Sequence, residues 1–264
     1  MKHVHSRQNP LFRTLVRLAT SSRERREKGA AILDGPHLVA THAASGRSAE
    51  VVFASESGLV REEVRRLLEE APAGARAILS DRLFQEIAQV ATPVGIGAWV
   101  SVPDPGPVPE RPGECVLLDA IQDAGNVGSI LRTAAAAGLR EAYLGPGTAF
   151  AWAPKVLRAA QGAHFALAIH ESVPLVEIAS RFAGQVWVTA GDAALMLYDA
   201  DLCGPNAWIF GNEGAGVAPE LGTPTSRRVS IPMAGGTESL NVAAAAAICL
   251  FEAVRQRRAA GPGP

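Results

Sequence analysis

The sequence predicts a two-domain α/β protein, and three observations lead to this fold class. Short apolar runs of strand length alternate with segments of helical periodicity along the chain. The strand candidate Cys115–Leu118 is apolar without interruption, as in parallel sheets covered on both faces. Residues 103–113, PDPGPVPERPG, form a proline-rich stretch typical of a stiff linker. We therefore predict a small α/β domain at 1–102, a linker at 103–113, and a second domain at 114–264 with a mostly parallel sheet and helices on both faces.

The composition argues against a membrane or secreted protein. Of the 264 residues, 48% are hydrophobic, which is enough for a buried core. No apolar run approaches the roughly 20 residues of a membrane span, and the start of the chain, MKHVHSRQNP, lacks the apolar segment of a secretory signal. We expect a cytoplasmic protein without membrane contact. The cysteines occur singly, so we interpret them as small buried hydrophobes rather than metal ligands or disulfide partners: Cys115, Cys203 and Cys249.

Positive charge is concentrated at the start of the chain. The net charge of the whole chain is −1, whereas residues 1–30 carry eight basic side chains against two acidic ones. Such a segment on an otherwise mildly acidic chain indicates attraction to a polyanion. A solvated helix face is the alternative interpretation.

The first domain is predicted to alternate between helix and strand. A helix starts at Asn9-Pro10, because apolar residues follow at helical spacing: Leu11, Leu15 and Leu18. The segment 59–70 is also helical in its spacing and has one apolar face: Val60, Val64, Leu67 and Leu68. The remaining predicted elements are strands at 31–33, 51–54, 77–79 and 96–102, and helices at 38–44 and 83–88.

The second domain continues this alternation. Asn126 is the predicted N-cap of a helix at 127–137, and Gly138 is its predicted C′ residue. Further strands are predicted at 141–144, 165–169, 186–190, 207–210 and 229–231, with helices at about 153–161 and 174–182.

Glycine-rich polar segments follow two of these strand candidates. The segment after 207–210 carries Glu213, and the segment after 229–231 carries Ser239 and Asn241. Open α/β sheets bind ligands in the crevice at the carboxyl ends of their strands. Glycines such as Gly211 let bare backbone approach a flat ligand. The sequence therefore predicts a pocket built from loops.

Three ordered stretches of the second domain resemble a known family. NVGSILRTAAAAG, IFGNEGAGVAPEL and IPMAGGTESLNVAAAAAICLFEAVRQR are similar to the three motifs of the SpoU (TrmH-like) RNA ribose 2′-O-methyltransferases of the SPOUT class. The last stretch is most similar to the branch that modifies large-subunit ribosomal RNA. The resemblance covers about residues 115–258. SRQNPLFRTLV and ILDGPHLV in the first domain resemble the ribosomal-protein-L30e-like domain that binds the RNA substrate in this family.

The resemblance implies a cofactor, a knot and a dimer. Members of the family bind S-adenosylmethionine in a deep trefoil knot of the catalytic domain and act as homodimers, and the reaction requires no metal. The positions that match the cofactor site are Thr189, Ala190, Gly191, Phe210, Gly211, Ile231, Met233 and Leu240. Apolar walls with backbone donors and acceptors suit an adenine ring.

The resemblance also implies catalytic residues, namely Asn126, Arg132, Glu213, Ser239 and Asn241. In the family, the arginine is the proposed activator of the ribose hydroxyl. Because a guanidinium stays protonated, we expect it to hold a phosphate and stabilise the developing alkoxide, with proton removal left open. Glu213 and Asn241 are expected to orient the loops and the nucleotide.

Each of these roles has a purely structural alternative. Asn126 and Asn241 are also suitable helix caps, and Ser239 shares that alternative with Asn241. Arg132 is alternatively a surface arginine, and Glu213 an acceptor for loop N–H groups.

We therefore predict methylation of a ribose 2′-hydroxyl in structured RNA, foremost 23S-type ribosomal RNA, with S-adenosylmethionine as the methyl donor. The alternatives are a transfer RNA 2′-O-methyltransferase and a non-catalytic RNA-binding or ribosome-assembly protein that keeps the fold. A nucleotide-dependent oxidoreductase is disfavoured, because GNEGAG departs from the G-x-G-x-x-G fingerprint.

Overall fold

The computed structural model describes residues 2–222, 226–235 and 239–261, and the chain forms two compact units. The first unit comprises Met1–Pro103 together with Trp152–Phe165, and the second comprises Asp104–Ala151 and Ala166–Pro264. The segment Trp152–Phe165 thus groups with the first unit, although its position in the sequence falls within the predicted second domain.

The first unit is built on a five-stranded sheet. Its strands are β1 (Lys2–Val4), β2 (Ala30–Asp34), β3 (Val51–Ser55), β4 (Arg76–Leu79) and β5 (Ile96–Ser101). The strand order is β1-β4-β3-β5-β2. β4 runs parallel to β1 and β3, whereas β5 runs antiparallel to β3 and β2. The helices between these strands are α1 (Pro10–Thr20), α2 (Ser22–Lys28), α3 (Pro36–Ala44), α4 (Glu62–Glu70) and α5 (Asp81–Ile87).

The start of α1 follows from its sequence. The Asn9 side chain accepts a hydrogen bond from the Leu11 backbone N–H at 2.9 Å, so Asn9 is the N-cap and Pro10 is the first helical residue. Leu15 and Leu18 of this helix are fully buried in the core of the first unit.

The predicted apolar face of 59–70 is wrong at one position. Val64, Leu67 and Leu68 are buried, but Val60 is 83% exposed. The physical reason is that α4 begins only at Glu62. Val60 lies before it in a short 3-10 turn, Gly58–Val60, and so does not share the apolar face of the helix.

An arginine of the basic N-terminal segment is buried between α1 and α2. Arg25 is 3% exposed, and its Nη1 donates to the backbone oxygens of Leu18 at 2.7 Å and Ala19 at 3.2 Å. Its Nη2 donates to the Ser22 hydroxyl at 2.9 Å. The guanidinium therefore satisfies carbonyl groups at the carboxyl end of α1, which have no partner within the helix.

The second unit is built on a six-stranded parallel sheet. Its strands are β6 (Cys115–Leu118), β7 (Glu141–Leu144), β8 (Ala168–Glu171), β9 (Gln185–Thr189), β10 (Asn206–Phe210) and β11 (Ser226–Val229). The strand order is β11-β9-β10-β6-β7-β8, and each neighbouring pair is parallel. The predicted α/β class with a mostly parallel sheet is therefore confirmed. The last strand begins earlier than the predicted 229–231, and β8 begins later than the predicted 165–169.

Both faces of this sheet are covered. The helices of the unit are α6 (Ala124–Ala136), α8 (Leu175–Arg181) and α9 (Val242–Ala259). Leu117 and Ile209 pack with Ile178 of α8 on one face. Alternate residues point to the other face, where Trp187 and Trp208 stack with ring centroids 5.9 Å apart, and α6 packs against α9.

The helix predicted at 153–161 is α7 (Pro154–Ala160). Its buried residues are Val156, Leu157 and Ala160, and the Arg158 Nη1 donates to the backbone oxygen of Gln89 at 2.6 Å. The segment 152–165 therefore contributes packing and hydrogen bonds to the first unit.

The prediction that all three cysteines are buried is correct for two of them. Cys115 and Cys249 are buried as predicted, whereas Cys203 is exposed because it lies in a surface turn before β10. In the part of the chain that the structure describes, no helix has the length and apolar character needed to cross a membrane.

Candidate functional site

The carboxyl ends of β9 and β10 and the segment that follows β11 border a cavity of about 450 Å³ in the second unit. This volume falls in the range of small-molecule sites. Seven of the eight predicted cofactor residues line it: Thr189, Ala190, Gly191, Gly211, Ile231, Met233 and Leu240. Three of the predicted polar residues also line it, namely Glu213, Ser239 and Asn241. The strand-end crevice expected from the sequence is therefore present in the described residues.

Phe210 does not line the cavity, contrary to the prediction. Its side chain is fully buried and stacks on Trp208, with an interplanar angle of 5°. The reason is strand alternation: Phe210 is the last residue of β10, and its side chain belongs to the core face while the cavity begins at the next residue.

Gly211 lines the cavity, but it is glycine for a reason that the sequence does not reveal. A Cβ at Gly211 would lie 2.3 Å from the backbone carbon of Gly216 and 2.4 Å from the nitrogen of Val217. The bare backbone therefore allows the turn after β10 to fold back on the strand end, and a larger residue would displace this turn as well as narrow the cavity.

The turn after β10 is closed by Asn212. The Asn212 Oδ1 accepts hydrogen bonds from the N–H groups of Gly214 at 2.9 Å and Ala215 at 3.0 Å. The Asn212 backbone oxygen accepts from the Gly216 N–H at 2.9 Å. Gly216 has φ +73°, a conformation that glycine adopts at low cost. Glu213 is thereby placed at the tip of a short, internally bonded turn.

Three predicted polar residues form one hydrogen-bonded chain. The Asn241 Nδ2 donates to the Asn126 Oδ1 at 2.9 Å, and the Asn126 Nδ2 donates to the Glu213 Oε1 at 2.8 Å. These residues lie at the start of α9, in the first turn of α6 and in the turn after β10. Asn126 therefore connects α6 to Glu213 and Asn241, which line the cavity, although Asn126 is not itself part of the lining.

The prediction that Asn126 is a helix N-cap is wrong. Helix α6 starts three residues earlier than expected, and its N-cap is Asp123, whose Oδ1 accepts from the Asn126 backbone N–H at 2.9 Å. Because Asp123 caps the helix, the Asn126 side chain is available to Glu213 and Asn241. At the other end, Gly138 has φ +93° and follows the C-cap Ala137, as predicted.

Asn241 both caps a helix and contributes to the site. Its Oδ1 accepts from the N–H groups of Ala243 at 2.9 Å and Ala244 at 3.2 Å, which makes it the N-cap of α9. Its Nδ2 is left to donate to Asn126. The two alternatives considered for Asn241, helix cap and site residue, are thus compatible.

The pKa of Glu213 lies below its ordinary value of 4.5. Burial by itself would raise the pKa. Hydrogen bonds from the Asn126 side chain and from the backbone N–H groups of Glu213, Asp123 and Gln122 favour the carboxylate and outweigh burial. Glu213 is therefore ionised at neutral pH, a state suited to holding loops together rather than to accepting a proton.

Arg132 stands apart from this chain. It is exposed on α6 and does not line the cavity. Among the residues that the structure describes, Arg132 has no hydrogen bond or ion pair. Its guanidinium is thus free to bind an anion from solution.

Sequence reasoning missed two residues that join the loops of the site. The Asp119 Oδ2 accepts from the Ala218 N–H at 2.8 Å, and the Asn212 Nδ2 donates to the Ala120 backbone oxygen at 2.9 Å. The signal was present in the sequence, because Asp119 and Asn212 lie just beyond the carboxyl ends of β6 and β10, which are neighbours in the sheet.

With this geometry in place, the comparisons with known proteins identify the class. The sequence profile of the SpoU rRNA Methylase family matches residues 114–251, and the chain belongs to this family. The predicted family, the fold class and the enzyme class, an RNA methyltransferase, are thereby confirmed.

Individual relatives are similar over nearly the whole chain. The chain is 33% identical over 254 residues to the 23S rRNA (guanosine(2553)-2′-O)-methyltransferase RlmP of Bacillus subtilis, covering 95% of this chain and 98% of that protein. The SpoU methyltransferase AviRb from Streptomyces viridochromogenes, solved in complex with AdoMet, superposes with a TM-score of 0.81 at 28% identity, covering 95% of this chain and 99% of that one. An AdoMet-bound rRNA methyltransferase from Sinorhizobium meliloti superposes with a TM-score of 0.80 at 28% identity, covering 96% and 97%.

Proposed function

We propose that this protein transfers a methyl group from S-adenosylmethionine to a ribose 2′-hydroxyl of 23S-type ribosomal RNA. The observation that carries the proposal is the cavity of about 450 Å³ that is lined by Glu213 and Asn241, two residues which Asn126 joins by hydrogen bonds. The near full-length similarity to RlmP, which is named as a 23S rRNA 2′-O-methyltransferase, supports the substrate and the reaction. The AdoMet-bound relatives support the methyl donor.

The residues of the cavity fit S-adenosylmethionine. Ile231, Met233 and Leu240 offer apolar surface to a purine ring, and the loop residues Ala190 and Gly191 offer backbone donors and acceptors. The carboxylate of Glu213 lies in the lining, which suits a cofactor that carries positive charge. When bound, the cofactor supplies a methyl group on an electrophilic sulfonium. The knot implied by the family resemblance stays a prediction, as does the use of these residues as cofactor ligands.

The polar residues of the chain then have separate tasks in methyl transfer. Glu213 and Asn126 hold the β10 turn, α6 and α9 in a fixed arrangement, which aligns the reactants. Ser239, in the same lining, offers a hydroxyl that orients the nucleotide. Arg132, exposed and without a described partner, grips a phosphate of the RNA and stabilises the negative charge that develops on the ribose oxygen.

The outer face of α9 favours the predicted homodimer. The helix buries Ala246, Cys249 and Ala253 within its own chain, yet Phe251 on the outer side is 47% exposed. Ala244 is exposed about two helical turns earlier on the same side. An apolar helix face of this kind is typical of an isologous contact between two copies. Sedimentation analysis at micromolar concentration measures the assembly, and a monomer under those conditions contradicts this part of the proposal.

Mapping of ribose methylation tests the proposed function. Ribosomal and transfer RNA from cells with and without the protein should differ at one 23S-type position, and the purified protein with labelled S-adenosylmethionine should restore the methyl group in vitro. A lost methyl group in transfer RNA would instead identify a transfer RNA enzyme. Unchanged methylation in both RNAs, together with no binding of S-adenosylmethionine, would support the non-catalytic alternative.

A further inference from the structure

Asn212 makes hydrogen bonds in two directions, and its orientation is set by the donors around it. The Oδ1 faces the N–H groups of Gly214 and Ala215, so this atom must be the acceptor. The Nδ2 must then be the donor that reaches the backbone oxygen of Ala120 at 2.9 Å. One side chain thereby closes its own turn after β10 and binds the loop after β6.

The residue that Asn212 binds is in an unfavourable backbone conformation. Ala120 has φ +52°, in the left-handed region. For a residue with a Cβ this conformation is sterically unfavourable, because the Cβ approaches the following carbonyl oxygen. It therefore needs support from the surrounding structure, and the hydrogen bond from Asn212 to the Ala120 carbonyl provides it.

The conformation of Ala120 determines where the next residues point. Gln122 and Asp123 lie two and three residues after it, and their backbone N–H groups contribute to the lowered pKa of the Glu213 carboxylate. Asp123 also caps α6 through the Asn126 N–H, and Asn126 donates to Glu213. A relaxed Ala120 would rotate this stretch of backbone and move donors away from Glu213.

We propose that Asn212 is a positioning residue for methyl transfer: by holding Ala120 left-handed it keeps Asp123 in place as the cap of α6 and thereby the Asn126 amide on Glu213. The inference rests on the proposed methyltransferase activity. Asn212 acts through the loop and not on the reacting atoms, so its loss slows transfer by misplacing Glu213. A second tie between the same loops, from the Ala218 N–H to Asp119, keeps them adjacent when Asn212 is replaced.

The test is a cycle of variants at positions 212 and 120. Asn212→Asp keeps the shape and the Oδ1 acceptor but replaces the amide donor with a second acceptor oxygen. Asn212→Ser removes the amide donor without adding charge, and its hydroxyl can still close the turn. Both should slow single-turnover transfer about tenfold or more at saturating cofactor and RNA, as expected when a hydrogen bond to a constrained group is lost. Asp201→Ala is the matched control, because Asp201 accepts from the Cys203 N–H in a surface turn before β10; it should leave the rate unchanged.

Ala120→Gly provides the specific rescue. Glycine adopts the left-handed conformation without the steric penalty of a Cβ. In the Ala120→Gly background, the loss caused by Asn212→Ser should therefore shrink by about fivefold, which corresponds to about 1 kcal/mol. If Asn212 only closed its own turn, Asn212→Ser would lower the transfer rate by the same factor with Ala120 as with Ala120→Gly.

Hydrogen exchange gives a readout that does not depend on activity. In Asn212→Ser, the amide of Asn126, which donates to the Asp123 side chain, should lose protection, whereas those of β6 and β10 should keep it. A wild-type transfer rate in Asn212→Ser, an equal loss in both backgrounds, or unchanged protection at Asn126 would overturn the assignment of Asn212. An inactive wild-type protein would overturn the proposed function and this inference together, so the two failures are distinguishable.

Discussion

Two arginines on helices of the two units have opposite surroundings. Arg25 of α2 is 3% exposed and donates to carbonyl groups at the end of α1. Arg132 of α6 is exposed, and in the described part of the chain it has neither a hydrogen bond nor an ion pair. Arg25, one of several arginines in the most positively charged segment, is thus structural. Arg132, the single arginine of an alanine-rich helix, is free to bind an anion.

This difference shows why charge counts alone are weak guides to function. Within residues 1–30, some of the basic side chains are not available to a polyanion, because Arg25 is buried and others form ion pairs. Arg23 pairs with Glu27 at 2.6 Å, and Arg7 pairs with Glu86. The available positive charge of this segment is therefore smaller than its sequence indicates, and it is carried by particular residues such as Arg13, which is exposed.

The largest expected effect is on Arg132. Arg132→Ala should reduce single-turnover methyl transfer by about a hundredfold or more, because the reaction loses a donor aimed at developing negative charge. Arg132→Lys should recover only a small part, since lysine cannot bind phosphate with two parallel donors. Cofactor affinity should stay near wild type by calorimetric titration. Arg140→Ala, which removes an exposed arginine beyond the other end of α6, is the control and should transfer normally.

For Arg25 the comparison predicts a stability effect instead. Arg25→Ala should lower the free energy of unfolding of the first unit by about 2 kcal/mol, because it leaves buried carbonyl groups without a donor. Native-state hydrogen exchange in α1 and β2 measures this change in the full chain. Arg26→Ala removes the same charge from an exposed position and should change stability by less than about 0.5 kcal/mol. Equal effects of the two substitutions would show that Arg25 is not a structural arginine.

The pH dependence of methyl transfer shows whether Glu213 is a structural carboxylate, like Arg25 a structural arginine, or a proton acceptor. Because its folded pKa lies below the ordinary value of 4.5, Glu213 contributes stability above that value, and the contribution is lost only as pH falls through the lowered pKa. The rate of methyl transfer should therefore show no limb from Glu213 between about pH 5 and 8. Glu213→Gln should slow transfer about tenfold without changing the shape of the pH profile. A limb that disappears in Glu213→Gln would instead identify Glu213 as a proton acceptor.

The smallest expected effect concerns RNA binding by the first unit. Arg13→Gln should weaken RNA binding a few-fold and reduce the slope of log affinity against log salt by about 1, as expected for one lost phosphate contact. Arg23→Gln should have a smaller effect, because Arg23 is already paired with Glu27. Measuring RNA affinity at several salt concentrations for both variants gives these slopes. Identical slopes for wild type and Arg13→Gln would remove Arg13 from the RNA-binding surface.

Much of the fold was predictable because it depends on local patterns. Uninterrupted apolar strands such as Cys115–Leu118 indicated a buried parallel sheet, and Asn9-Pro10 marked the start of α1. Val60 was not predictable in the same way, because helical spacing continues through it although the helix starts later. Where a helix starts depends on contacts with the rest of the fold, and these are not visible in the local spacing of apolar residues.

The candidate site shows the same limit. The motif residues were found, but the role of Asn126 depends on Glu213, which lies 87 residues further along the chain. The predicted cap was Asn126, and only the fold determines that Asp123, three residues earlier, caps α6. Phe210 was misplaced for a related reason, since the side on which a strand's last residue points depends on the register of the sheet.

The grouping of Trp152–Phe165 with the first unit has a consequence for protein engineering. The chain leaves the second unit after Ala151 and returns to it at Ala166, so a single cut at the proline-rich stretch does not separate the two units. A chimera that takes only residues 1–103 from a relative would pair a foreign sheet with the original α7. Exchanging the first unit between members of this family therefore requires exchanging two stretches of sequence at once, in the laboratory as in evolution.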